Sequence, residues 1–151
     1  MTSICYRTAE KAEEESIHRL QKEMLRAVYG IEEDQQIPQF SPEPIDRFLE
    51  ETGSCIFVAE TAGRVVGFLS VEDHGSFLYL DDLCVEQEYR EKGIGTHLLC
   101  LAEEHAETRK IKTLELHVEG CNRRAMAMYN RLGYTITETV QGRHRMRKEL
   151  P

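Results

Sequence analysis

In Arg90-Glu91-Lys92-Gly93-Ile94-Gly95-Thr96 two glycines, one residue apart, stand behind an arginine and a lysine. The stretch follows the apolar, strand-like run Phe77 to Val85 and precedes the helical spacing of Ile94, Leu98, Leu101, Ala102 and His105. In that position glycines let the backbone turn tightly and approach a ligand closely, and the first amides of the helix lack carbonyl partners and face negative charge. The chemistry is that of an anion cradle suited to a pyrophosphate. Backbone amides do most of the positioning, and Arg90 and Lys92 add ionic contacts. The same residues would also suit a tight strand-to-helix turn with no ligand. A dinucleotide site fits less well, because the order is R-x-x-G-x-G instead of G-x-G-x-x-G and the motif lies mid-chain after an antiparallel-looking series.

The second informative stretch is Asn122-Arg123-Arg124-Ala125-Met126-Ala127-Met128-Tyr129-Asn130-Arg131-Leu132-Gly133-Tyr134. Ala125, Met128, Tyr129 and Leu132 share one helical face, Asn122 can cap the start and Gly133 suits the end. A tyrosine on such a face can be core packing or a hydroxyl aimed at a ligand. A strand, Thr113 to Val118, separates the two motifs.

The elements that must position these residues follow from hydrophobic periodicity. Ser3 to Arg7 reads as a short strand, and Ile17, Leu20, Met24 and Val28 form the stripe of an amphipathic helix ending near Gly30. Pro38, Pro42 and Pro44 mark a loop-rich rim before a short helix around Ile45 to Glu51. Cys55 to Glu60 and Val65 to Val71 are β-branched runs joined by the hairpin-like Thr61-Ala62-Gly63-Arg64. Tyr134 to Thr139 and Gly142 to Leu150 close the chain as two further strands. The order β-α-α-β-β-β-α-β-α-β-β contains a crossover unit over Phe77 to Val118, so a single α/β domain with a mixed sheet and helices on both faces is expected.

The 151 residues fit one compact domain, and 40% hydrophobic residues are enough to bury a core. No stretch reaches the ~20 apolar residues of a membrane span and Met1 to Glu10 has no apolar signal core, so a cytoplasmic protein off the membrane is expected. The formal charge of -8 opposes nucleic acid as a partner. Cys5, Cys55, Cys84, Cys100 and Cys121 lack metal or disulfide spacing and read as reduced, mostly buried thiols, with no metal expected. Glu10, Glu13, Glu14, Glu15, Glu23, Glu32, Glu33 and Asp34 crowd the first quarter of the chain, either as a solvated face or as an attraction for a cationic substrate.

R-x-x-G-x-G followed by N-x-x-A-x-x-x-Y-x-x-x-G-Y resembles the GNAT superfamily of N-acetyltransferases, and the element order extends the resemblance over essentially the whole chain. The resemblance implies a mostly antiparallel mixed sheet of about seven strands and an enzyme moving the acetyl group of acetyl-CoA to a primary amine by direct attack in a ternary complex. It implies that the backbone of Leu83, Cys84 and Val85 pairs with the pantetheine arm where the strands holding Val85 and Val118 splay. The amides of Glu91, Lys92, Gly93, Ile94, Gly95 and Thr96 would hold the pyrophosphate, together with Arg90. Asn122 would reach the pantetheine, Arg123 or Arg124 the phosphates, and Tyr129 would protonate the departing thiolate. The Val85 amide would face the thioester oxygen.

The base that frees the acceptor amine is less clearly marked. Tyr79 aligns with the glutamate that serves in relatives modifying protein lysines. Asp81 shares its strand parity and is the expected base, whereas Asp82 should point to the opposite face. Glu60, Glu115, His117 and a water chain are alternatives. Cys84 would allow an acetyl-cysteine route, but no partnered histidine is evident. The acid-rich first helix leans toward a small cationic amine as acceptor, with a protein or peptide amine as the alternative. A non-catalytic acetyl-CoA sensor on the same fold is a second alternative, and many relatives form homodimers.

Overall fold

The computed structural model describes residues 3–32 and 42–151; Glu33, Asp34 and Pro38 lie outside the described residues. The chain runs β1 (Cys5–Thr8), α1 (Glu14–Tyr29), α2 (Asp46–Glu50), β2 (Cys55–Thr61), β3 (Arg64–Asp73), β4 (Leu78–Val85) and α3 (Ile94–Thr108). It continues through β5 (Thr113–Glu119), α4 (Arg123–Arg131), β6 (Thr135–Val140) and β7 (Arg143–Glu149). Short 3₁₀ turns precede α1 and follow β4.

Among the described residues seven strands form one sheet in the order β1-β2-β3-β4-β5-β7-β6. Only β4 and β5 run parallel, because the α3 crossover between them returns the chain to the same end of the sheet. The other pairs are antiparallel, and two hairpins turn on adjacent left-handed residues, Ala62-Gly63 and Gln141-Gly142. Every residue of the edge strand β6 is exposed.

Helices cover both faces. Ile17 and Leu20 of α1 and Phe48 of α2 pack on Ile56, Val58 and Phe68. On the other face Ile94, Leu98, Leu99 and Ala102 of α3, with Tyr129 of α4, pack on Leu69, Val71, Leu80, Leu114 and Leu116. The apolar stripe that predicts α1 is buried only over its first half. Met24 and Val28 are half-buried, and α1 ends at Gly30 in the left-handed conformation, φ 66°.

The cysteines depart from expectation. All five are free thiols, but Cys5, Cys100 and Cys121 are exposed and only Cys84 is buried. They fall at a strand edge, on the outer face of α3 and in a loop, where periodic burial does not reach them.

Candidate functional site

The sheet is split at its centre. β4 and β5 pair through Leu78–Leu114, Tyr79–Glu115 and Leu80–Leu116, and pairing stops there, although β5 stays paired with β7 as far as Glu119. On its other side β4 remains zipped to β3 through Leu83, Cys84 and Val85. The Glu86 amide donates to Val66 across that ladder, at 2.8 Å. Alternation along an antiparallel strand then turns the N–H groups of Leu83 and Val85 toward the gap. The Val85 carbonyl accepts from Arg90 Nε at 3.1 Å.

The gap opens into a groove of about 760 Å³. Its walls come from Leu83, Cys84 and Val85, from the turn at Tyr89 to Thr96, and from α4, with Met24, Ala27 and Val28 of α1 at the rim. The turn has the conformation its glycines suggest. Gly93 sits at φ 81° as the residue capping α3, and Glu91 is also left-handed at φ 63°. A Cβ on Gly95 would lie 3.3 Å from Met128 Sδ, so this glycine lets α3 approach α4. The amides of Ile94, Gly95 and Thr96, in the first turn of α3, have no helical carbonyl to bond. These amides, a left-handed glycine and two unpaired strand groups fit an elongated molecule with an anionic end.

The basic residues are arranged more specifically than spacing alone implies. Arg90 braces the turn through the Val85 carbonyl, Lys92 Nζ lies 5.3 Å from the Tyr89 ring centre, and Arg124 pairs with Glu91 at 3.4 Å. Asn122 caps α4, its Oδ1 accepting from the Ala125 amide at 3.3 Å.

Tyr129 is buried at the wall of the groove, edge-on to Tyr134 with ring centres 5.7 Å apart. Its hydroxyl has no hydrogen-bond partner among the described residues. Burial, then the proximity of Cys84 and Asp82, raises its pKa far above the ordinary tyrosine value, so it stays protonated.

The opposite face of the split holds two carboxylates, which corrects the expectation that Asp82 points away from Asp81. Leu83 pairs with Leu69 and Leu80 with Val71, so Asp81 and Asp82 together face the single residue Ser70. This is a β-bulge, and the extra residue resets the alternation on which the parity argument rests. Asp81 Oδ2 lies 3.4 Å from an Arg47 nitrogen of α2, and Asp82 Oδ2 accepts from Gln21 Nε2 of α1 at 3.0 Å. Both line a cavity of about 250 Å³ beneath α1 and α2, which shares Met24 with the larger groove. Burial first, then the Asp82 charge, pushes Asp81 up to about 6 against the pull of Arg47. Burial likewise raises Asp82, opposed by the Gln21 hydrogen bond.

The other candidates separate cleanly. Glu60 pairs with Arg7 at 3.1 Å on β2, and Glu115 is buried against Arg145 at 2.5 Å, so each carboxylate is held by an arginine. His117 Nδ1 lies 2.7 Å from the Tyr79 hydroxyl. The Cys84 sulfur faces α1, 3.4 Å from Met24 Sδ, and burial pushes its thiol pKa well up, opposite to what a nucleophilic cysteine needs.

Sequence reasoning put Asp82 on the wrong face, missed Arg47, and did not place Met24, Ala27 and Val28 of α1 at the rim of the groove. It also missed Gly67, where a Cβ would lie 3.2 Å from Ile94 Cγ2 and 3.3 Å from the Cys84 carbonyl. A glycine within a β-branched run is the signal that could have marked that close approach.

Comparison with known proteins agrees with this geometry. An N-acetyltransferase of Methanocaldococcus jannaschii, named as uncharacterised, is 33% identical over 101 residues, covering 62% of this chain and 45% of that protein. The thialysine N-epsilon-acetyltransferase of Bos taurus is 36% identical over 75 residues, covering 50% of this chain and 44% of that protein. The matches thus span about half the length of these curated relatives. The PaiA N-acetyltransferase of Thermoplasma acidophilum, solved in complex with coenzyme A, superposes with a TM-score of 0.86 at 23% identity, covering 97% of this chain and 99% of that one. The model of the acetyltransferase (GNAT) family matches residues 14–134. The fold is therefore shared with a solved N-acetyltransferase, and the chain belongs to the acetyltransferase (GNAT) family.

Proposed function

We propose that the chain transfers the acetyl group of acetyl-CoA to a primary amine by direct attack in a ternary complex, and that the acceptor is a small cationic amine. One observation carries this reading. The sheet opens beyond Leu80 and Leu116, with a glycine turn and the free first amides of α3 on one face of the opening and a pair of carboxylates on the other.

Acetyl-CoA supplies an activated acetyl thioester. Leu83, Cys84 and Val85 hold its arm along the unpaired edge of β4. The amides of Glu91, Lys92, Gly93, Ile94, Gly95 and Thr96 hold its pyrophosphate, with Arg90 and Arg124 at the margin, and Asn122 reaches the pantetheine arm. The Val85 N–H donates to the thioester oxygen as charge builds there. Asp81 and Asp82 draw in the ammonium, and Asp81 takes its proton, since an ammonium has no lone pair with which to attack. Tyr129, kept protonated by burial, gives its proton to the leaving thiolate. The name of the Bos taurus relative, which specifies the side-chain amine of thialysine, agrees with a cationic acceptor.

Calorimetric titration with acetyl-CoA, using NAD and ATP as controls, tests the donor half. Selective micromolar binding supports it, and equal or absent binding overturns it. Screening polyamines, aminoglycosides, lysine analogues and peptide N-termini for coenzyme A release tests the acceptor half. Release with peptides alone would favour a protein or peptide acetyltransferase, and binding without release a non-catalytic sensor.

A further inference from the structure

Helix α1 runs from the carboxylate cavity to the donor groove with its side chains in a fixed order. Gln21 lines the cavity, where its Nε2 donates to Asp82 at 3.0 Å, and Ala27 and Val28 stand at the rim of the groove. Met24 lies one helical turn from each, on the same side of α1. Among the described residues it is the one side chain that lines both the groove of about 760 Å³ and the cavity of about 250 Å³. Its thioether packs on the sheet beneath, where the Cys84 thiol of β4 lies 3.4 Å from Met24 Sδ and donates to it.

Once an amine has attacked an acyl thioester, four substituents surround the former carbonyl carbon. The sulfur arrives along the groove, the nitrogen comes from the side of Asp81 and Asp82, and the oxygen faces the unpaired edge of β4. The acyl chain takes the direction that is left, toward whatever covers the junction of groove and cavity. Met24 covers that junction. An unbranched thioether fills an irregular gap and packs well against a small apolar group.

We propose that Met24 determines donor specificity: it closes the acyl pocket at two carbons, so that acetyl-CoA is accepted and longer acyl-CoA thioesters are disfavoured. This rests on the acetyl-transfer reading above. A longer chain is more apolar and gains from any pocket with room for it, so a preference for the short chain requires a wall. One methylene in an apolar pocket is worth about 10- to 200-fold in discrimination. Donor choice then resides on α1, apart from the turn that holds the pyrophosphate and apart from the groups that move protons.

The test compares acetyl-CoA with butyryl-CoA on the full chain, with an amine that supports coenzyme A release. Wild type should favour acetyl-CoA in kcat/KM by about 10²-fold. Met24→Ala should bring the two donors within about fivefold of each other, whereas Met24→Leu, close to methionine in volume, should keep the wild-type ratio. Val28→Ala, one turn further on and outside the cavity, should also keep it. An unchanged ratio in Met24→Ala, or in Met24→Val if the alanine variant does not fold, overturns the proposal. So does an equal shift in Val28→Ala, or a wild-type chain that uses both donors alike. Calorimetry with the two thioesters separates this inference from the reading beneath it. Met24→Ala should bind butyryl-CoA about tenfold more tightly than wild type does, with acetyl-CoA affinity within a few-fold. Unchanged butyryl-CoA binding overturns the inference on its own. Selective acetyl-CoA binding with no coenzyme A release by any amine overturns the transfer reading instead.

Discussion

Leu80 and Leu116 close the vertex of the split sheet: each is almost fully buried, and the two strands part immediately beyond them. Up to this pair β4 and β5 behave as ordinary neighbours in a parallel ladder. Past it, the polar groups of one strand edge are left for a ligand. An apolar pair at the vertex keeps water out of the seam without using any of the groups that the opening exposes.

The cradle rests on Gly93, at φ 81° with open space where a Cβ would project. Gly93→Ala therefore meets no steric clash and pays only for the left-handed backbone, about 1–2 kcal/mol. We expect a fall in melting temperature of about 2–8 °C and a larger relative loss of acetyl-CoA affinity, measured by calorimetry. A loss of stability with affinity unchanged would remove this turn from the binding site.

Tyr129→Phe keeps the packing on Tyr134 and removes a hydroxyl that has no protein partner among the described residues. Turnover should fall by about 10²-fold, while acetyl-CoA affinity and melting temperature stay close to wild type. An equal loss of binding and turnover would make Tyr129 a packing residue.

Asp81 is held protonated up to about 6, above its ordinary value. An acid whose folded-state pKa is raised costs stability when ionised, and that cost disappears as pH falls below its folded pKa. Asp81→Asn should thus be more stable than wild type at pH 7 to 8, by roughly 1–2 kcal/mol once partial exposure is discounted. The advantage should vanish near pH 4. Denaturant melts across that range check the sign, and turnover should fall in the same variant.

Cys84→Ala distinguishes direct attack from an acetyl-cysteine route. With its sulfur packed on Met24 and its thiol pKa driven up, we expect turnover within a few-fold of wild type and a stability loss of about 1 kcal/mol. Abolished turnover in a folded variant would reinstate the covalent route. Thiol labelling should reach Cys5, Cys100 and Cys121 before Cys84.

Much of this arrangement is legible in the amino-acid sequence. Strand and helix order follows from periodicity, and the left-handed conformations at Gly30, Gly63 and Gly93 follow from glycine's readiness to adopt them. The groove residues from Leu83 to Thr96 follow from the motif. What escapes depends on contacts distant in sequence. The orientation of Asp82 depends on how β4 registers against Ser70 of β3, and local alternation cannot report a bulge. Arg47 reaches the site because α2 packs over β3, with its guanidinium held between Glu72 and Asp81. The acidic first quarter reads as one patch, yet Glu13 is buried against Arg7, so part of that charge is internal bracing.

The bulge at Asp81 and Asp82 also fixes the phase of β4. Upstream of it the side chains keep step with both neighbouring strands, and downstream they keep step with β3 alone. Deleting one of the two aspartates would therefore act as a half-turn of the strand. Either the segment beyond would rotate, sending Leu83 into the layer under α1 and Cys84 into the layer under α3, or the ladder with β3 would slip by one residue. Both outcomes disturb the sheet more than any single replacement at these positions, so for folding, as distinct from turnover, this short segment should tolerate a substitution better than a change of length.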